Sequence, residues 1–235
     1  MAHYRKVTHV IYDMDGVLLD TEGFYTTAAT MFAARHGKDF NAELKSRMIG
    51  KKSTDSARIF VESLGLPVAA EEYLRERESL LNHLLPQARP MPGAERLTRH
   101  LHRAKVPQAV ATSSDTYHFR LKTTLHASWF EVFDCLILGD DPALKRGKPA
   151  PDIFLLAAER LGADPSQCLV FEDAPAGIEA AHAAGMSAVA VPDRIVDTAC
   201  YRPADQIVSS LVEFVPEEWG LPPYQDAHPT KNRTR

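Results

Sequence analysis

The stretch HVIYDMDGVLLDT, His9 to Thr21, decides how the rest of the chain is read. Val10, Ile11 and Tyr12 favour a short buried strand, and Gly16 supplies a turn, so Asp13 and Asp15 fall where that strand ends. In an open α/β sheet that edge is where ligands bind. We expect the two carboxylates to point different ways, one free to attack a substrate and the other to handle a proton. Alone, Asp-x-Asp-Gly is equally a plain turn, so the remaining strands must decide.

After Thr21 the pattern becomes helical and stays so until Pro86. Phe24, Ala28, Met31 and Phe32 make one apolar stripe, and Leu44 with Met48 a second. Ala57, Phe60, Val61 and Leu64 make a third, and Leu74, Leu81 and Leu85 a fourth. Four helices with no strand between them predict a separate bundle. From Met91 onward helices alternate with the strand-like runs QAVATSS, CLILGD, CLVFED and SAVAVP, the βαβ rhythm of a parallel sheet covered on both faces. The expected class is therefore α/β: a Rossmann-like, doubly wound parallel sheet at 1–18 and 88–220, interrupted by an all-helical cap at 19–87 that stands over Asp13. The polar, proline-rich residues 221–235 are expected to be disordered, with LPPY at most packing the chain end.

The chain has 235 residues, 45% of them hydrophobic, enough for one sizeable core and an accessory domain. A formal charge of −4 without a basic arm argues against a nucleic-acid partner. No run of about 18 apolar residues argues for a membrane span, and the N-terminus lacks a secretory pattern, so a cytoplasmic location is expected. Cys135, Cys168 and Cys200 lack metal-ligand spacing and are expected to be buried thiols.

The predicted strands end on Asp13 with Asp15, Thr112 with Ser113, Gly139 with Asp140, and Glu172 with Asp173; Lys148 lies on the GKPAPD loop. Parallel strands bring these ends to one edge. A pocket holding Asp13, Asp15, Glu172 and Asp173 needs a cation, and hard oxygen donors without histidine or cysteine favour Mg²⁺. Lys148 and the Thr112 hydroxyl then suit phosphate oxygens, so the expected partner is a small phosphorylated metabolite.

DMDGVLLDT, VATSS, GKP and FEDAPAG resemble, in order, the four motifs of haloacid dehalogenase superfamily phosphatases, and the resemblance covers about Val7 to Pro192. It implies a helical cap and hydrolysis through an aspartyl-phosphate on Asp13, with Asp15 as general acid and base. It further implies Mg²⁺ held by Asp13, the Asp15 backbone and Asp173, Glu172 assisting, and phosphate held by Thr112, Ser113 and Lys148. Asp15, near other carboxylates, is expected to have a raised pKa. Its presence separates the chain from dehalogenases and transport ATPases, leaving phosphatase or phosphomutase. β-Phosphoglucomutase relatives carry a cap histidine where this chain has Tyr25, which weakens the mutase reading. A non-catalytic binding protein on this scaffold should have lost at least one of Asp13, Asp15, Lys148 or Asp173. In the cap, Lys51, Lys52 and Glu22 are the candidates for contacting the leaving group. Pseudouridine 5'-phosphate is the first expectation, ahead of glycerol 3-phosphate or a sugar phosphate. Lys145 and Arg146 are read as surface charge.

Overall fold

The computed structural model describes residues 4–48, 53–192 and 198–224. Strand β1 (His9–Tyr12) is followed by the two-residue β2 (Leu19–Asp20) and four helices, α1 (Glu22–Arg35), α2 (Ala42–Met48), α3 (Ser53–Leu64) and α4 (Ala70–Leu84). The chain returns through β3 (Arg89–Pro90) to α5 (Ala94–Arg103), β4 (Gln108–Ala111), α6 (Thr116–Lys122), α7 (Ala127–Phe130) and β5 (Cys135–Ile137). It continues with α8 (Asp152–Leu161), β6 (Cys168–Glu172), α9 (Pro175–Ala183), β7 (Ser187–Ala190) and β8 (Gln206–Ile207).

Six strands form one parallel sheet in the order β5-β4-β1-β6-β7-β8. β1 is central because both of its faces are apolar: Val10 and Tyr12 join one core cluster and Ile11 the other. Leu97 and Leu101 of α5, with Trp129 and Phe130 of α7, cover the first face. Ile153, Phe154 and Ala157 of α8, with Ile178 and Ala181 of α9, cover the second. Alternation along β1 is thus what makes the sheet doubly wound.

The helical stretch carries its own core, in which Phe32 of α1, Phe60 of α3 and Tyr73 of α4 are fully buried and ring-packed, Phe60 stacking on Tyr73 at 4.2 Å. Two stripe positions differ from the sequence reading. Met31 is exposed, and Tyr73 is fully buried where Leu74 is only half-buried, the Tyr73 ring packing against Phe32 and Phe60. The chain enters and leaves this stretch through β2 and β3, which pair antiparallel, Leu19 with Pro90 and Asp20 with Arg89.

Of the cysteines, only Cys168 is buried; Cys135 is half-buried on the edge strand β5, and Cys200 is exposed on a 3₁₀ turn beyond the sheet. The tail expected to be disordered from residue 221 is packed as far as Tyr224. Leu221 is buried, the Pro222 carbonyl lies 2.9 Å from His100 Nε2, and Arg96 stacks on the Tyr224 ring. Residues 225–235 lie outside the described residues. Among the described residues no helix is long and apolar enough to cross a membrane.

Candidate active site

β1 delivers Asp13 to the C-terminal edge of the sheet, and the Asp13 N–H still donates to Phe171 O of β6 at 2.9 Å. The chain then curls: Leu18 and Leu19 donate to Met14 O, and Gly16 donates to Leu19 O. Gly16 has φ +73°, and a Cβ there would run into the Asp173 carboxylate, so both the turn and the close approach require glycine. Asp13 and Asp15 do not point apart as expected; residues i and i+2 share a face on an extended chain, and both line one cleft of about 450 Å³. What separates them is their partners.

Asp13, 7% exposed, faces the buried Lys148, whose Nζ lies 2.5 Å from Asp13 Oδ1, 2.7 Å from Glu172 Oε1 and 3.2 Å from Ala111 O. Burial lifts the Asp13 carboxyl to about 7 against the pull of Lys148, with Glu172 and Asp15 adding to the rise. Lys148 is held above its ordinary value, because the charges of Asp13 and Glu172 outweigh the penalty of burial. Glu172 is itself oriented: Oε2 accepts the Ala174 N–H at 2.9 Å, and Gly177 leaves the space its carboxylate fills. Asp173 lies on the other side, its carboxyl raised by burial and then by Glu172 and Asp13.

Asp15 overturns the expectation of a raised pKa. Burial pushes its carboxyl up, but the Lys122 charge and hydrogen bonds from Lys122, Thr21 and Ser114 outweigh it and hold the group below its ordinary value. Lys122 Nζ lies 2.7 Å from Asp15 Oδ1 and Ser114 Oγ 3.0 Å from Oδ2, and Thr21 Oγ1 donates to Oδ1. The nearby carboxylates lose because a buried cation, 2% exposed, is in direct contact. Sequence reading missed Lys122, Thr21 and Ser114. The one available signal was a lysine one helical turn after the half-buried Phe119 on the short helix α6.

Thr112 is buried beside this group, its Oγ1 accepting the Ser114 N–H at 3.1 Å and leaving its own O–H to donate, while Ser113 is exposed in the same cleft. Asp13, Asp15, Thr112, Ser113, Lys148, Glu172 and Asp173 therefore all meet. The helical stretch closes the opposite side with Glu22, Tyr25, Ser53, Arg77, Glu78 and Leu81. Lys51 and Lys52 lie outside the described residues. Arg146 pairs with Asp152 at the surface, as surface charge should.

Seven carboxylates line this cleft, Asp13, Asp15, Glu22, Glu78, Asp115, Glu172 and Asp173, against Arg77, Lys122 and Lys148, leaving an excess of negative charge that helps to raise Asp173. Every candidate donor is a hard oxygen, which suits Mg²⁺ rather than zinc. As the side chains stand, no three His, Cys, Asp or Glu groups among the described residues converge tightly enough to cage an ion, Lys148 lying between Asp13 and Glu172. The donor chemistry and the charge excess fit a divalent cation.

The parallel α/β sheet thus carries, just past its central strand and under a helical cover, two aspartates each paired with its own lysine. The chain belongs to the haloacid dehalogenase-like hydrolases, whose family model matches residues 7–185. It is 50% identical over 228 residues to (DL)-glycerol-3-phosphatase 2 of Arabidopsis thaliana, covering 95% of each chain. It is 46% identical over 225 residues to a probable pseudouridine-5'-phosphatase of Drosophila melanogaster, covering 94% of this chain and 97% of that one. Among solved structures, a HAD family hydrolase of Deinococcus radiodurans with bound phosphate and sodium superposes with a TM-score of 0.78 at 26% identity, over 95% of this chain and all of that one. The chain is thus a phosphatase, a phosphoric monoester hydrolase.

Proposed function

We propose that this phosphatase works through an aspartyl-phosphate on Asp13 and that pseudouridine 5'-phosphate is its substrate. The observation that carries the mechanism is the pairing of two adjacent aspartates with separate buried lysines at the sheet edge. A carboxylate oxygen of Asp13 attacks phosphorus and the ester P–O bond breaks, the departing oxygen taking a proton from Asp15. Water then attacks the acyl phosphate, gives its proton to Asp15, and phosphate leaves. As held by Lys122, Thr21 and Ser114, Asp15 is a carboxylate ready for the second of these steps.

Lys148, with the Thr112 hydroxyl and the Ser113 backbone, neutralises and orients the phosphoryl oxygens, and Glu172 keeps Lys148 aimed. Mg²⁺ held by the Asp13 carboxylate, the Asp15 carbonyl and Asp173 would neutralise charge on the phosphate. The cap, residues 19–87, selects the leaving group; Glu22 lines the cleft, and Lys51 and Lys52 remain candidates beside Ser53.

For the substrate, a cleft of about 450 Å³ with the Tyr25 ring in its wall supports a nucleoside-sized leaving group. Glycerol 3-phosphate is the second reading, favoured by Arabidopsis thaliana glycerol-3-phosphatases 1 and 2, at 48% and 50% identity. Phosphate release from pseudouridine 5'-phosphate, glycerol 3-phosphate, uridine 5'-phosphate and hexose phosphates, with Mg²⁺ or EDTA, tests both. The first reading expects the highest kcat/KM on pseudouridine 5'-phosphate, abolished by EDTA and by Asp13→Asn. A higher value on glycerol 3-phosphate would overturn the substrate and keep the mechanism; turnover surviving Asp13→Asn would overturn the mechanism.

A further inference from the structure

One contact at the rim of the cleft joins the helical stretch to the sheet domain through a single imidazole. His118, on α6 of the sheet domain, places Nε2 2.8 Å from Glu78 Oε1 on α4, and Nδ1 2.9 Å from Asp115 Oδ1 on its own helix. Each ring nitrogen thus faces a carboxylate oxygen. A neutral imidazole carries one N–H and one lone pair, so it satisfies one of these carboxylates and turns a lone pair on the other; only the imidazolium donates to both. Asp115 cannot turn away, because its Oδ1 also accepts the His118 backbone N–H at 2.8 Å as the N-cap of α6.

Among the described residues no other cation pairs with Glu78. On α4 the preceding residue, Arg77, donates to Ser53 Oγ at 2.8 Å and lies over the Tyr73 ring. On α6, Tyr117 packs edge-on against the His118 ring, Lys122 is committed to Asp15, and Thr116 donates to Asp140. Beside the contact, Leu121 of α6 packs with Leu81 and Leu85, so the cap meets the core here by one apolar patch and one ionic pair.

We propose that protonated His118 is a positioning residue that clasps the cap to the core through Glu78, so that closure over the substrate tightens when this ring takes up a proton. Closure raises affinity by holding the leaving group against the cap, and the clasp weakens as the ring loses its second N–H. The proposal rests on the phosphatase reading only for its kinetic readout.

The test compares full-length protein with His118→Gln and Glu78→Gln, with Mg²⁺, on pseudouridine 5'-phosphate and glycerol 3-phosphate. The quantity read is the ratio of variant to wild-type KM, which cancels the ionisation of the substrate. The expected ratio is about 3-fold larger near pH 6 than near pH 8, as suits a half-exposed ion pair whose positive member is an imidazole. A ratio near 1 at both ends, or one that does not change with pH, overturns the clasp. In parallel, ¹⁵N NMR of the His118 ring near pH 6 is expected to show Nε2 hydrogen-bonded in the wild type and that bond lost in Glu78→Gln. An Nε2 signal indifferent to Glu78 overturns it equally. If neither ester is hydrolysed, the proposed substrates fall by themselves and the NMR arm still decides the clasp.

Discussion

Lys122, itself buried, and the half-buried Asp15 form an ion pair 2.7 Å apart, and the lysine comes from a helix more than 100 residues further along the chain. Lys122 is held above its ordinary value despite burial, because Asp15, with Tyr25 adding, favours the charged form. Replacing it by methionine keeps the bulk and removes the charge that depresses Asp15. The Asp15 carboxyl is expected to titrate higher in Lys122→Met than in the wild type, read from the carboxyl ¹³C signal of each. A carboxyl titration indifferent to the lysine would show that the ion pair does not set Asp15.

Gly16 lies close against Asp173, a ligand of the proposed Mg²⁺, and Gly16→Ala would force the carboxylate away. Magnesium affinity is expected to fall roughly 10- to 100-fold, as it does when support for a ligand is disturbed. Activity titrated with Mg²⁺ reads this directly: the half-saturating concentration rises while saturated activity recovers at least in part.

The raised carboxyl of Asp13 ties stability to pH in the absence of metal. A carboxyl lifted from 3.8 to about 7 binds its proton more tightly when folded, so its stabilising share is complete below the unfolded value and is lost as pH rises through about 7. Asp173 acts in the same direction. Lys148 stays charged in both states across this window and does not offset the loss. Melting temperature in EDTA is expected to fall between about pH 5 and about pH 8, and Mg²⁺ to restore it more at the upper end. Thermal scans at both pH values, with and without the ion, check the sign.

Phe60 fills the centre of the cap between Phe32, Phe40 and Tyr73. Phe60→Ala is expected to cost about 3–5 kcal/mol, read as a lower denaturant midpoint. The sheet domain keeps its own two clusters, so an early cap transition followed by a later core transition is the expected shape.

The sheet and the residues at its strand ends were legible because each signal is local. Three apolar residues followed by Asp13 announce a strand and its edge, and the same reading placed Thr112, Glu172 and Asp173. Lys148 was read from its loop, although its contact with Glu172 was not. The partners of Asp15 were illegible for the opposite reason: Thr21, Ser114 and Lys122 sit on three separate segments and meet only through packing. Any one of them alone reads as a cap, a loop serine or a surface lysine. The error on the direction of Asp15 came from counting the carboxylates near it and not the one cation that tertiary structure delivers. Met31 and Cys200 failed because periodicity and residue type give average burial, whereas helix rotation and position beyond the sheet set the actual value.

The paired strands Leu19–Asp20 and Arg89–Pro90 bring the two ends of the helical stretch side by side. Everything from Glu22 to Ala88 is therefore a cassette plugged into two neighbouring sockets. A different cassette, or a short loop joining Thr21 to Arg89, would leave the hydrogen bonding of the sheet untouched. The gene can thus change what the enzyme selects by exchanging one continuous segment, while the chemistry, written in pieces on both sides of it, stays where it is.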